Sequence, residues 1–144
     1  MSKKSILIHR AERFCETHKY RMTEPRARVL SALAKDKQPM GAYQILNLLS
    51  SQTEKVSPPT IYRAIEFWHK HGFIHRIESM NAYVACCEHQ HHENFCIFIC
   101  SNCNTTQELN MKCLPGPVTH DIKNRHLTIT NSVTEIRGKC SQCS

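Results

Sequence analysis

Two Cys-x-x-Cys pairs, Cys100-Ser-Asn-Cys103 and Cys140-Ser-Gln-Cys143, constrain this chain more than any other feature. A two-residue spacer brings both sulfurs to one edge of a tetrahedron. Two such pairs complete a four-sulfur shell, the closed kind of site that holds structural Zn²⁺. The pairs are separated by 36 residues. That is too long for a small independent finger, so a shared metal would staple two ends of one folded domain. Two disulfides or a redox Cys-x-x-Cys are the competing readings. The odd count of 9 cysteines and the lack of a signal-peptide pattern argue against an oxidising compartment.

The 144 residues allow one domain or two small ones. No apolar run approaches the ~20 residues needed to span a bilayer. A soluble, cytoplasmic protein with no membrane partner is the expectation. Charge divides the chain in two. Residues 1–76 carry a balance of +8 and residues 77–144 a balance of −1, within a total of +7. The basic half is a candidate surface for a polyanion; ordinary solvated helix faces are the alternative.

The basic half reads as helices. Residues 4–19 place Ile8, Ala11, Phe14 and Cys15 at helical spacing. Thr23 is a good N-cap for a second helix, with Pro25 in its first turn and Val29, Leu30 and Leu33 on one face. Gln38-Pro39-Met40-Gly41 breaks the chain before a third helix over 42–50. Ser57-Pro58-Pro59-Thr60 opens a fourth, with a capping hydroxyl and prolines where missing N–H groups do no harm. Ile61, Ala64, Ile65 and Trp68 form its buried stripe, and Gly72 ends it. Strands over 73–77 and 82–86 follow, turning at Met80-Asn81.

Short helices, a capped helix and a β-hairpin are the order of a winged helix-turn-helix. The fourth helix would be the recognition helix, its first turn entering the major groove of double-stranded DNA. Arg63 can pair with guanine O6/N7 or clamp a phosphate; Tyr62 can meet a phosphate or a thymine methyl. Thr60, on the same turn, and Tyr43, on the third helix, complete the candidate contacts. A plain helical subdomain with Arg63 in solvent is the alternative.

The second half reads as a small α/β unit. Residues 95–100 form a strand, 105–109 pair with it across the first cysteine turn, 118–124 form a short helix, and 127–136 form a strand delivering the second cysteine pair. Further ligand types gather around its start. His75 and Cys86 lie on the two wing strands, His89, His91 and His92 on the linker, and Glu108 beyond the first cysteine pair. One thiolate, imidazoles and a carboxylate suit tetrahedral Zn²⁺. Cys86 as strand core, Glu108 as a solvated position and the histidines as a polar loop are the bland alternatives.

With these residues in hand, the chain resembles the ferric uptake regulator superfamily over about residues 5–143. The carriers are Arg21-Met22-Thr23-Glu24-Pro25-Arg26, the run from Ser57 to Ala64, Gly72-Phe73-Ile74-His75, and Phe98-Ile99-Cys100-Ser101-Asn102-Cys103 with the closing Cys-x-x-Cys. The resemblance is strongest to the family's zinc-sensing branch. It implies an α+β chain: a winged-helix DNA-binding domain over 1–86, a hinge over 87–94, and a small α/β dimerisation domain stapled by a four-cysteine zinc over 95–144. It implies two zinc ions per chain, a structural one at Cys100, Cys103, Cys140 and Cys143 and a regulatory one at His75, Cys86, His92 and Glu108. It implies a homodimeric repressor of zinc uptake genes that binds operator DNA when the regulatory zinc is bound.

The iron branch usually carries His-His-Asp-His just before the first structural cysteine, where this chain has Asn94-Phe95-Cys96-Ile97. An iron, manganese or peroxide sensor of the same superfamily is the alternative, with a zinc buffer or a metal-dependent enzyme further off. Catalysis would need an open coordination position beside a pocket and a base. The four-sulfur site is closed, and no His-Glu-x-x-His run is present. No catalytic residue and no small-molecule substrate are expected.

Overall fold

The structure, a computed structural model, describes residues 2–35, 38–52, 56–86, 94–109 and 115–144. The chain divides into two compact units, Met1–Cys87 and Glu88–Ser144. The first holds α1 (Lys3–Thr17), α2 (Glu24–Lys35), α3 (Ala42–Gln52), α4 (Pro58–Lys70), β1 (Ile74–Ile77) and β2 (Ala82–Ala85). The second holds β3 (Asn94–Cys100), β4 (Thr106–Leu109), α5 (Gly116–Asn124) and β5 (Ser132–Gly138). Among the described residues no helix is long and apolar enough to cross a membrane.

In α1 the Ser2 hydroxyl accepts from the Ser5 N–H at 3.2 Å, and Leu7, Ala11 and Cys15 are buried. Ile8 and Phe14, expected on the buried face, flank it half-buried, and Leu7 takes the central place. Thr23 caps α2 by accepting from the Arg26 N–H at 3.4 Å. The α4 stripe of Ile61, Ala64, Ile65 and Trp68 is buried. Each large side chain fully withdrawn from water here contributes about 1.5–3 kcal/mol before entropy is charged.

The start of α4 differs from expectation in one respect. Ser57 is the N-cap, but its hydroxyl caps no backbone N–H and lies 2.8 Å from Thr60 Oγ1. Pro58 and Pro59 have no N–H to offer. The next two, on Thr60 and Ile61, already reach the Ser57 carbonyl at 3.1 and 3.4 Å. At the other end Gly72 takes φ 74°, a left-handed conformation that a side chain disfavours.

The two wing strands pair antiparallel with His75 opposite Val84 and Arg76 opposite Tyr83. The reversal is a single 3-10 turn, Glu78–Met80, closed by Asn81 at φ 47°. Met40 adds a one-residue third rung by bridging Tyr83.

In the second unit the sheet order is β4-β3-β5, with β4 antiparallel and β5 parallel to the central strand. Phe95, Cys96, Ile97, Ile99 and Cys100 of this central strand are all buried. A parallel neighbour needs a crossover, and β4 and α5 lie in that connection. The last strand begins at Ser132 rather than near Leu127 and runs on to Gly138. His126, at φ 54°, bends the chain after α5, and residues 127–131 lead from this bend to the strand, so their β-branched composition overstated its length. α5 starts two residues earlier than the sequence suggested, at Gly116.

Candidate functional site

The four-sulfur cluster is a product of strand register. Cys100 ends β3, and the parallel pairing sets Gly138 opposite it, two residues before Cys140. The Ser101 N–H then donates to the Gly138 carbonyl at 2.8 Å, tying the two loops together. Each pair sits on a tight turn. Asn104 N–H reaches the Cys100 carbonyl at 2.9 Å, and Cys143 N–H reaches the Cys140 carbonyl at 3.0 Å. Asn104 tolerates the left-handed φ of 58° that the first turn demands.

All four sulfurs lie within 4.8 Å of one another, with Cys103 and Cys140 at 3.8 Å. A tetrahedron with Zn–S near 2.3 Å has edges of about 3.8 Å. A disulfide needs about 2.05 Å; all four cysteines are free, and the disulfide reading fails. The donor set fits zinc. Cys100 is drawn down to about 6, chiefly by the backbone N–H of Cys103 and then by that of Cys140, which lies 3.4 Å from its sulfur. Cys103 is also lowered, first by the Thr105 hydroxyl 3.2 Å away, which can donate to the thiolate. Cys143 is pushed up to about 12 by its sulfur neighbours Cys140 and Cys103. Without a metal, the cluster therefore holds protons on one side and thiolate charge on the other. A metal must displace those protons.

The second proposed ligand set is divided between the units. His75 lies half-buried on β1, and Cys86 is buried just past β2, its N–H donating to the Phe73 carbonyl at 2.9 Å. A ring nitrogen of His75 and the Cys86 sulfur lie within 4.8 Å of each other. Glu108 is half-buried on β4 of the second unit, opposite Ile97. His92, with His89 and His91, lies outside the described residues.

The candidate DNA contacts stand on the first unit. Tyr43, in the first turn of α3, is 69% exposed, and Tyr62 is 51% exposed. Arg63 is exposed and Thr60 half-buried near the start of α4. The helices bearing them are tied together by polar bonds invisible in the sequence pattern. Arg28 Nη2 donates to the Leu49 carbonyl at 3.0 Å, linking α2 to α3. Trp68 Nε1 donates to the Arg26 carbonyl at 2.8 Å, linking α4 to α2. The Arg26 guanidinium lies 3.5 Å from the Phe67 ring centroid and donates to the Arg21 carbonyl at 2.6 Å.

A winged helix with exposed aromatic and cationic side chains near the starts of α3 and α4, followed by an α/β unit carrying a four-cysteine cluster, defines a metal-binding, DNA-binding class of chain. The chain belongs to the Ferric uptake regulator family, whose pattern matches residues 17–137. It is 31% identical over 141 residues to the zinc uptake regulation protein of Escherichia coli (strain K12), covering 95% of this chain and 81% of that one. Among solved structures it is similar to a zinc uptake regulator complexed with zinc and DNA, with a TM-score of 0.89 at 28% identity over 99% of this chain and 96% of that one. It is also similar to holo XcZur, with a TM-score of 0.83 at 31% identity over 97% of each chain.

Proposed function

We propose that this protein is a cytoplasmic, zinc-responsive transcriptional repressor of zinc uptake genes. It binds operator DNA as a homodimer when a regulatory zinc is bound. The observation that carries the reading is one chain that joins a four-thiolate cluster to a winged helix, with near full-length likeness to zinc uptake regulators. The protein is a regulator, not an enzyme.

Each part of the chain has a role in this reading. Cys100, Cys103, Cys140 and Cys143 hold a structural zinc, which clips the ends of β3 and β5. His75, Cys86, His92 and Glu108 hold a second, regulatory zinc, so that two are bound per chain. A cysteine among these ligands favours zinc over iron or manganese, which more often take histidine and carboxylate alone. Residues 1–86 form the DNA-binding domain, 87–94 the hinge and 95–144 the dimerisation domain. Tyr43, Thr60, Tyr62 and Arg63 meet the DNA. The homodimer is supported by the second unit's surface. β5 has β3 as its only strand partner among the described residues, and Val133, Ile136, Ile129 and Leu127 on and before it are exposed. Such a group of exposed apolar side chains invites a second copy.

Ligands drawn from separate elements would fix the angle between the DNA-binding and dimerisation domains. Two recognition helices must match successive half-sites on one face of DNA. Zinc and DNA then become coupled ligands, each tightening the other by the same factor. Cys86→Ser tests this reading. It should keep one zinc per chain, the dimer and a normal fold, yet lose zinc-stimulated operator binding. An undiminished zinc response removes Cys86 from the sensor. A wild-type protein whose DNA binding ignores zinc overturns the function itself.

A further inference from the structure

Tyr43 projects into solvent, and the interactions that fix the backbone around it come from Met40 and Gly41, just before α3, and from Gln44, the next residue along the helix. The Gly41 N–H donates to Gln44 Oε1 at 2.8 Å. Met40 exchanges both backbone hydrogen bonds with Tyr83 of β2, at 3.0 Å and 2.8 Å. The Asn81 carbonyl of the wing turn lies 3.7 Å from the place a β-carbon on Gly41 would occupy. The N-cap of α3 is therefore a glycine, without a side-chain oxygen to satisfy the helix start. Gln44, at the third helical position, reaches back and supplies the other half of a capping box. Without its carboxamide, Gly41 would lose the side-chain half of this cap. The first turn would then rest on the Ile45 N–H to Gly41 carbonyl bond of 3.0 Å and on the wing.

We propose that Gln44 is a positioning residue for DNA recognition by Tyr43. By capping Gly41 it registers the first turn of α3 against wing strand β2, so the tyrosine ring meets the DNA at one place. This inference rests on the DNA-binding reading above and adds a residue that touches no DNA itself. A cap that merely stabilised the helix would weaken all DNA binding alike, through the folded fraction. A cap that positions Tyr43 acts only when Tyr43 is present.

The experiment uses the full-length, zinc-loaded protein and a duplex that the wild-type protein selects from random sequence. Affinity is measured for that duplex and for non-specific DNA in Tyr43→Ala, Gln44→Met, Gln44→Glu and the Tyr43→Ala/Gln44→Met double variant. Gln44→Met keeps the side-chain length without the acceptor and should lower the specific-to-non-specific ratio about three- to tenfold, in the lower part of the range of coupling between neighbouring groups. Gln44→Glu retains the acceptor and should restore most of the ratio, in which its added charge cancels. In the Tyr43→Ala background Gln44→Met should have no further effect. An equal effect of Gln44→Met in both backgrounds, or no effect in either, overturns the proposal. An unchanged affinity in Tyr43→Ala alone instead overturns the placement of Tyr43 on DNA.

Discussion

Replacing Gly138 by alanine tests whether strand register really builds the four-sulfur cluster. A β-carbon at this position would sit 2.9 Å from Cε2 and 3.3 Å from Cζ of the Phe98 ring. Real β-carbons do not approach so closely, so something must move. Gly138 is paired with Cys100, and its carbonyl accepts the Ser101 N–H at 2.8 Å. The backbone is thus pinned at the point from which the second cysteine pair is hung. Phe98 is half-buried, so its ring can swing outward and relieve part of the clash. Overpacking of this kind costs about 1–3 kcal/mol, and the freedom of the ring puts the cost near the low end, about 1 kcal/mol. The assay is chemical denaturation of the zinc-loaded protein together with the rate of zinc loss to a chelator. Gly138→Ala should unfold more easily and lose zinc faster, and adding Phe98→Leu should recover part of both. Wild-type stability and zinc retention in Gly138→Ala would refute the close packing of Phe98 on Gly138 from which this cost is worked.

Cys140→Ser should release the structural zinc and unfold the second unit, because binding free energy at such a site is folding free energy; zinc content and far-UV dichroism give the readout, and a well-folded, dimeric, zinc-free variant would contradict it. Arg63→Ala should weaken specific DNA binding by about 1–3 kcal/mol if Arg63 contacts a base. Its thermal midpoint should stay near that of the wild type, since Arg63 lies off the buried stripe of α4. His71 supplies a pH test. Burial lowers its pKa from 6.5, with Lys70, His18 and Arg26 adding to the effect. The unfolded chain therefore takes up this proton first, and stability should fall as pH drops from neutrality through 6.5, then level off once the folded form is protonated too. His71→Phe should flatten that part of the stability profile, and an unchanged slope would assign it to other groups.

Helix placement was legible because periodicity and caps are local. The α4 stripe and Thr23 as a cap follow directly from neighbours three and four residues apart. The Ser57 hydroxyl was misread because its helix N–H partners depend on what the adjacent prolines leave available. The last strand was misplaced because Leu127, Ile129 and Val133 carry strand-forming composition on both sides of its true start at Ser132. The convergence of the four cysteines was legible from spacing, but its cause was not. The parallel pairing of β5 with β3, with Gly138 opposite Cys100, joins residues 38 apart and leaves no local trace. Similarly, nothing in the neighbourhood of Met40 announces that it will bridge Tyr83.

Trp68 is the chain's one tryptophan, and all four tyrosines also fall before residue 88. The second unit is therefore optically silent in intrinsic fluorescence, while the indole of Trp68 sits fully buried in the first. Its ring lies 5.0 Å from that of Phe73, whose carbonyl accepts the Cys86 N–H. Emission from this one residue reports on the winged helix alone. Cobalt substituted for zinc in Cys86→Ser, where the four-cysteine cluster is the one thiolate site proposed, would give that cluster a charge-transfer colour of its own. The melting of each unit can thus be followed separately in one untagged sample, without cutting the chain.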